Sequence, residues 1–429
     1  MSLAKNVEFL RHFPKLNGFN GLGIYGRSAS AGAGSPLVEI DGFGTNPGAL
    51  KMFAYVPEQL PRASALVVVL HGCGQTAPGY DFGTGWSTLA NRYGFALLMP
   101  EQQAANNANT CFNWFNPEDV ARDSGEAASI RQMISRMAGD HDIDSRRICV
   151  TGLSAGGAMT SVMLATYPEL FAGGAVIAGL PFGIAGNVRE ALSGMMASPS
   201  RPARELGDLV RNASKHKGPW PKLSVWHGSA DRTVNPANAD EIVKQWLDVH
   251  GLPLAPMSAG DVDGYPREVW WNADGETVIE SYTITDMAHG TPLGDSGHDE
   301  RFGEGGAFLI EAGISSSYHI ANFFGLTEQI HQPKTAATGS KTTSKPASKA
   351  ASEAASKVIA RAVSTGISRE RAGTIAMTVP VPAPEPDLTT VLWPRARPHQ
   401  AESQQAPRRR GIDVGAVITR ALTAAGLMK

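Results

Sequence analysis

Thr151-Gly152-Leu153-Ser154-Ala155-Gly156-Gly157 is the stretch that decides the reading of this chain. It follows the apolar run Ile148-Cys149-Val150 and precedes a helix-like segment, Ala158-Met159-Thr160-Ser161-Val162-Met163-Leu164. A strand that passes into a helix through Gly-x-Ser-x-Gly has to turn sharply, and the strain falls on the serine. Gly152 and Gly156 stand where a Cβ would collide with neighbouring chain. The turn pushes the Ser154 hydroxyl out beyond the carboxyl end of the strand, with a backbone N–H beside it. In a chain with 47 glycines the pattern alone has little weight. The strand before it and the helix after it carry the reading.

Alternation of strands and helices continues on both sides of this turn. Strands are expected at 50–56, 65–70, 95–99, 147–151, 174–177, 222–226 and 277–284. The buried ones are near-continuous apolar runs, as a parallel sheet covered on both faces requires. Helices are expected at 86–93, 119–137, 155–166 and 237–250. The pattern predicts an α/β fold: a mostly parallel, doubly wound sheet flanked by helices. Ligands in such sheets bind beyond the carboxyl ends of the strands, where Ser154 is expected.

With 429 residues, 42% of them hydrophobic, there is room for one large α/β domain and further material. A net charge of -2 gives no reason to expect nucleic acid or anionic membrane as a partner. No apolar run approaches the roughly 20 residues that span a bilayer. The opening Met1-Ser2-Leu3-Ala4-Lys5-Asn6-Val7-Glu8 lacks the apolar core and cleavage site of a secretory signal. Composition changes near Gln332-Pro333, where Ala, Ser, Lys, Thr and then Pro dominate. The expected division is an N-terminal extension (1–36), a catalytic α/β domain (37–330), a disordered low-complexity linker (331–411) and a C-terminal amphipathic helix (412–429). On that last helix Val414, Val417, Ile418, Ala421, Leu422 and Ala425 share a face. It is expected either to dock on its own domain or to hook a partner or hydrophobic particle.

A serine hydroxyl needs a histidine to take its proton and an acid behind that histidine. In chains with this turn, the partners follow in the order serine, acid, histidine. The strand Leu223-Ser224-Val225-Trp226 runs into His227-Gly228-Ser229-Ala230-Asp231, so Asp231 is presented in a small-residue turn just past a strand end. Asp231 is the expected acid. His227 precedes it and reads as a structural strand-end residue rather than the base. Of the eleven histidines, His289 lies in Thr285-Asp286-Met287-Ala288-His289-Gly290, directly after the last strand, on a loop able to return over Ser154. His289 is the expected base, and His298 its competitor. The oxyanion needs two backbone donors. Ala155 is expected to supply one. The other is expected from the Gly-rich turn His71-Gly72-Cys73-Gly74-Gln75, with Cys73 ahead of Gly74 and Gln75.

Five ordered motifs together resemble the poly(3-hydroxybutyrate) depolymerase-type esterases, relatives of acetylxylan and feruloyl esterases. These are His71-Gly72-Cys73-Gly74-Gln75, Pro100-Glu101-Gln102, Cys111-Phe112-Asn113-Trp114-Phe115, Gly152-Leu153-Ser154-Ala155-Gly156-Gly157 and His227-Gly228-x-x-Asp231. The resemblance spans roughly 44–324. It implies an α/β-hydrolase fold, no metal, no organic cofactor, and hydrolysis of carboxylic esters through an acyl-enzyme on Ser154, Asp231 and His289. Ala288 stands where the family often has glycine. The resemblance also implies a bridge between Cys73 and Cys111, two reduced thiols being the alternative. Asn113 and Trp114 are candidates for a substrate groove, with core packing the other reading. Cys149, within a buried strand, reads as a plain core thiol. The expected substrate is a polyester or its oligomers; plant polysaccharide esters, or a non-catalytic role on polymer granules, are the alternatives. The family points to the extracellular region, whereas the opening residues leave the cytoplasm as the alternative.

Overall fold

The computed structural model describes residues 34–295 and 302–327. The expected linker, the tail helix, nearly all of the N-terminal extension and His298 lie outside the described residues. The first half of the fold runs β1 (Val38–Ile40), β2 (Lys51–Tyr55), β3 (Ser64–Leu70), α1 (Ala77–Thr84), α2 (Trp86–Tyr93), β4 (Ala96–Glu101), α3 (Pro117–Val120) and α4 (Gly125–Asp140). It continues with β5 (Ile143–Leu153), α5 (Ala155–Thr166), β6 (Gly173–Ile177), α6 (Val188–Ala197), α7 (Ala203–Ala213) and β7 (Lys222–Gly228). The remainder is α8 (Ala237–His250), β8 (Ser258–Val262), β9 (Tyr265–Trp271), β10 (Thr277–Ile284), β11 (Thr291–Leu293), β12 (Leu309–Glu311) and α9 (Ser316–Phe323).

Ten strands form one sheet in the order β1-β2-β4-β3-β5-β6-β7-β10-β9-β8. The six from β4 to β10 are parallel, and antiparallel pairs close each edge. Strand β3 explains why the middle is buried on both faces. Leu66, Val68 and Leu70 enter one hydrophobic cluster, and Ala65, Val67 and Val69 enter the other. An apolar residue at every position from 65 to 70 leaves no face for water, so helices must cover both sides. The chain reverses its direction of travel across the sheet between β3 and β5. A crevice opens at such a switch point, beyond the carboxyl ends of the two strands. The loops that follow β3 and β5 carry His71–Gln75 and Ser154.

One expected element is corrected. The stretch 119–137 is two helices rather than one. Ala121 is extended (ψ 146°), and Asp123 and Gly125 both have positive φ (64° and 49°). The Gly125 position also lies against the backbone of Glu118 and Asp119, where any Cβ would clash. This break sets the start of α4, with Glu126 in its first turn.

Candidate active site

The turn from β5 into α5 holds Ser154 at φ 57° and ψ −116°. Such a conformation is costly for a residue with a Cβ and persists only where the surroundings enforce it. A Cβ on Gly152 would come within 2.5 Å of the Gly156 carbonyl, and one on Gly156 would overlap the Leu70 carbonyl oxygen. The two glycines let strand, turn and helix pack this closely. The Ser154 N–H donates to the Ile177 carbonyl (2.9 Å), which ties the turn to the neighbouring strand.

Asp231 and His289 reach this serine from the ends of two adjacent strands. The turn after β7 and the loop after β10 are laced together: Ser229 N–H donates to Ile284 O (3.0 Å), Ala230 N–H to Met287 O (3.0 Å), and Asp286 N–H to Ser229 Oγ (2.9 Å). Gly228 sits so near the Met287 carbonyl that a side chain there would overlap it. The result is one hydrogen-bonded chain. Ser154 Oγ lies 2.9 Å from His289 Nε2, and His289 Nδ1 lies 2.7 Å from Asp231 Oδ2. All three residues are buried, so the contacts are weakly screened. Asp231 as a carboxylate only accepts, so His289 carries its proton on Nδ1 and offers Nε2 to the serine hydroxyl.

Burial works to raise the ionisation of Asp231. Hydrogen bonds and charge from His227 and His289 outweigh it and hold the carboxyl well below the usual range. Its second oxygen accepts the Thr233 and Val234 N–H groups (2.8 and 2.9 Å). His227 Nε2 lies 3.1 Å from Asp231 Oδ2 and 3.0 Å from the Val234 carbonyl. Both contacts are acceptors, so His227 donates. The sequence reading kept His227 as structural and missed this contact with the acid, although the four-residue spacing to Asp231 is visible in the chain.

Three of the four N–H groups in 72–75 are occupied. Gly72 N–H donates to Gln75 Oε1, Gly74 N–H to Asn109 O, and Gln75 N–H to Gly72 O. Cys73 has no acceptor for its N–H among the described residues. Ala155 opens α5, in the first turn whose N–H groups a helix leaves without internal partners. Cys73 and Cys111 are joined by a disulfide, and Cys149 is a buried free thiol pushed up to about 12 by burial.

Both groove candidates make contacts within the protein, Asn113 half-buried and Trp114 buried. Asn113 donates to Glu126 and accepts from Asn107 (2.9 Å). Trp114 is buried in the hydrophobic cluster that also holds Ala155, edge-on to Phe115. A residue the sequence reading did not single out lies nearer the chemistry. Phe308 has φ 60° and sets its ring 5.9 Å from His289, edge to face. Among the described residues no group of three His, Cys, Asp or Glu side chains is arranged to hold a metal ion. No helix of these residues is long and apolar enough to cross a membrane.

A strained serine at a sheet's switch point, hydrogen-bonded to a histidine that is hydrogen-bonded to a buried carboxylate, is the arrangement of an ester hydrolase of the α/β-hydrolase class. The solved acetyl xylan esterase from Aspergillus awamori shares the fold, with a TM-score of 0.57, 24% identity, and coverage of 68% of this chain and 99% of that one. Residues 52–262 match the Esterase PHB depolymerase family model. Poly(3-hydroxyalkanoate) depolymerase C of Paucimonas lemoignei is 46% identical over 291 residues, 68% of this chain and 70% of its own. The acetylxylan esterase of Coprinopsis cinerea is 32% identical, over 60% of this chain and 69% of its own. The chain belongs to the PHB depolymerase esterase family and is a hydrolase.

Proposed function

We propose that this chain cleaves poly(3-hydroxyalkanoate)-type polyesters, or their oligomers, through an acyl-enzyme on Ser154. The hydrogen-bonded chain Ser154–His289–Asp231 is the observation that carries this reading. His289 takes the Ser154 proton on Nε2 as Oγ attacks the ester carbonyl. The N–H groups of Cys73 and Ala155 receive the oxyanion, where one such donor contributes about 3 kcal/mol to transition-state stability. Collapse of the tetrahedral intermediate expels the alcohol, which leaves with the proton from His289. Water, deprotonated by His289, then attacks the acyl-enzyme and frees the acid and Ser154. Asp231 orients the imidazole and stabilises its charged form.

The polyester substrate is favoured by the 46% identity to a poly(3-hydroxyalkanoate) depolymerase. Acetylated or feruloylated polysaccharide is the second reading, supported by relatives at 32% and 31% identity that are an acetylxylan esterase and a feruloyl esterase. The Cys73–Cys111 bond supports an oxidising, extracellular setting. The test is release of soluble product from poly(3-hydroxybutyrate), acetylxylan and methyl ferulate by the purified chain, beside Ser154→Ala. The expected result is release from the polyester, abolished by Ser154→Ala. Release only from methyl ferulate or acetylxylan would replace the substrate, and an active Ser154→Ala would remove Ser154 from its role.

A further inference from the structure

We infer that Glu126 is a positioning residue whose buried carboxylate fixes the Cys111–Trp114 segment and, through it, the Cys73 N–H beside Ser154. This rests on the serine-hydrolase reading above and adds to it a residue that touches no substrate. Glu126 is 1% exposed. Its two oxygens accept from three amide groups: Gln102 Nε2 and Asn113 Nδ2 (2.7 Å) on Oε1, and the Asn113 N–H (2.9 Å) on Oε2. The amides cannot turn round. Gln102 Oε1 is held by Gln103 N–H and Asn106 Nδ2, both at 2.9 Å, and Asn113 Oδ1 by Asn107 Nδ2. Every neighbour donates, so the site is built for an ionised carboxylate with no proton of its own.

From that carboxylate the connection to the oxyanion turn is short. Gln102 Nε2 also donates to Cys111 O (3.1 Å), and Cys111 is bonded to Cys73. The Gly74 N–H donates to Asn109 O (2.8 Å), and the Gln102 N–H donates to Nε2 of His71 (3.1 Å), at the start of the same turn. Protonating Glu126 would set an O–H against one of the three donors and break that contact. The Cys111–Trp114 segment would then lose a tether, and Cys73 would lose its aim.

The ionisable groups facing Glu126 do not compensate its charge. Asp119, on α3, accepts the Glu126 backbone N–H and repels its carboxylate. His71 lies behind Gln102 and is kept neutral by burial, which lowers it to about 4. Burial and Asp119 together push Glu126 up to about 8. Its protonated and ionised forms therefore exchange in the range where ester hydrolysis is measured.

The test is acylation by a p-nitrophenyl ester, followed as the burst from about pH 6 to about pH 9.5, with kcat and KM measured alongside. The purified full-length chain is compared with Glu126→Gln and Gln102→Leu. The wild-type acylation rate should rise through an inflection near 8. Glu126→Gln should lack that inflection and stay about tenfold slower above it, in kcat with little change in KM. Gln102→Leu removes one donor and should move the inflection to higher pH, which keeps the inference testable if Glu126→Gln fails to fold. An unchanged inflection in either folded variant overturns the inference. A fluorophosphonate probe separates the two layers: wild-type chain that is not labelled on Ser154 overturns the serine reading beneath it, whereas labelled chain with a flat profile overturns the role of Glu126 alone.

Discussion

Asp231 and Glu126 are both buried carboxylates that accept hydrogen bonds on both oxygens, yet their surroundings push them in opposite directions. Asp231 faces two imidazoles, which supply N–H donors and are able to take up positive charge, and its ionisation is held low. Glu126 faces neutral amides and a second carboxylate, and is pushed up to about 8. Burial penalises the charged form at both sites. The sign is decided by whether a group able to carry positive charge stands opposite. Asp231 is thus a permanent anion within the proposed triad, while Glu126 is a conditional one within the support proposed for it.

Removing the permanent anion should have the largest effect. Asp231→Asn places an amide N–H against His289 Nδ1 and turns the imidazole into the wrong tautomer, with Nε2 no longer able to accept the serine proton. The turnover of a soluble ester should fall on the order of 10⁴-fold. A variant within tenfold of wild type would break the contrast, because Asp231 would then be no more tied to the chemistry than Glu126.

The next effect is on stability, and the two carboxylates should leave opposite marks on its pH dependence. Folded Glu126 keeps its proton up to about 8, whereas the unfolded chain releases it near 4.5. Between those values the folded state binds more protons, so its contribution to stability is full below 4.5 and is lost as pH rises toward 8. The loss is at most about 5 kcal/mol. Asp231, with its ionisation lowered, contributes stability above 3.8 that disappears as pH falls through its folded value. Urea midpoints across this range should show the alkaline decline reduced in Glu126→Gln, and the acid-side loss reduced in Asp231→Asn. A Glu126→Gln variant that declines with pH as steeply as wild type would mean that Glu126 does not titrate in this window. Ionising Glu126, as pH rises through about 8, is thus a cost to the fold, in exchange for a fixed loop.

The same contrast explains what could be read from sequence. Ser154 was legible because its turn is local: two glycines, a strand before and a helix after. Asp231 and His289 were legible through chain order and their places just past strand ends. The core strands were legible because apolar residues on both faces need no partner to identify them. Edge strands such as β8, with its exposed residues, carry no such pattern. Glu126 had no signal at all. In the chain it is one more acidic residue in the first turn of a helix, and its meaning comes from Gln102 and Asn113, which only folding brings to it. The Asp119–Met137 segment misled because helix propensity runs through a break that backbone packing around Gly125 imposes. Phe308 was hidden for a similar reason, since its positive φ and its contact with His289 are tertiary facts.

The smallest effect concerns His227 and separates donation from charge as the way Asp231 is held. Its Nε2 donates to Asp231 and to the Val234 carbonyl, while its buried Nδ1 has no partner. A role in donation needs one N–H, whereas a role in charge needs the second nitrogen protonated in a place with nothing to receive it. The arrangement favours donation. His227→Gln keeps an N–H able to reach Asp231 and should stay within about twofold of wild type in kcat, while His227→Phe removes it and should fall about tenfold. If both variants fall equally far, charge at His227 is what depresses Asp231, and the contrast with Glu126 becomes one of net charge alone rather than of charge and hydrogen bonding together.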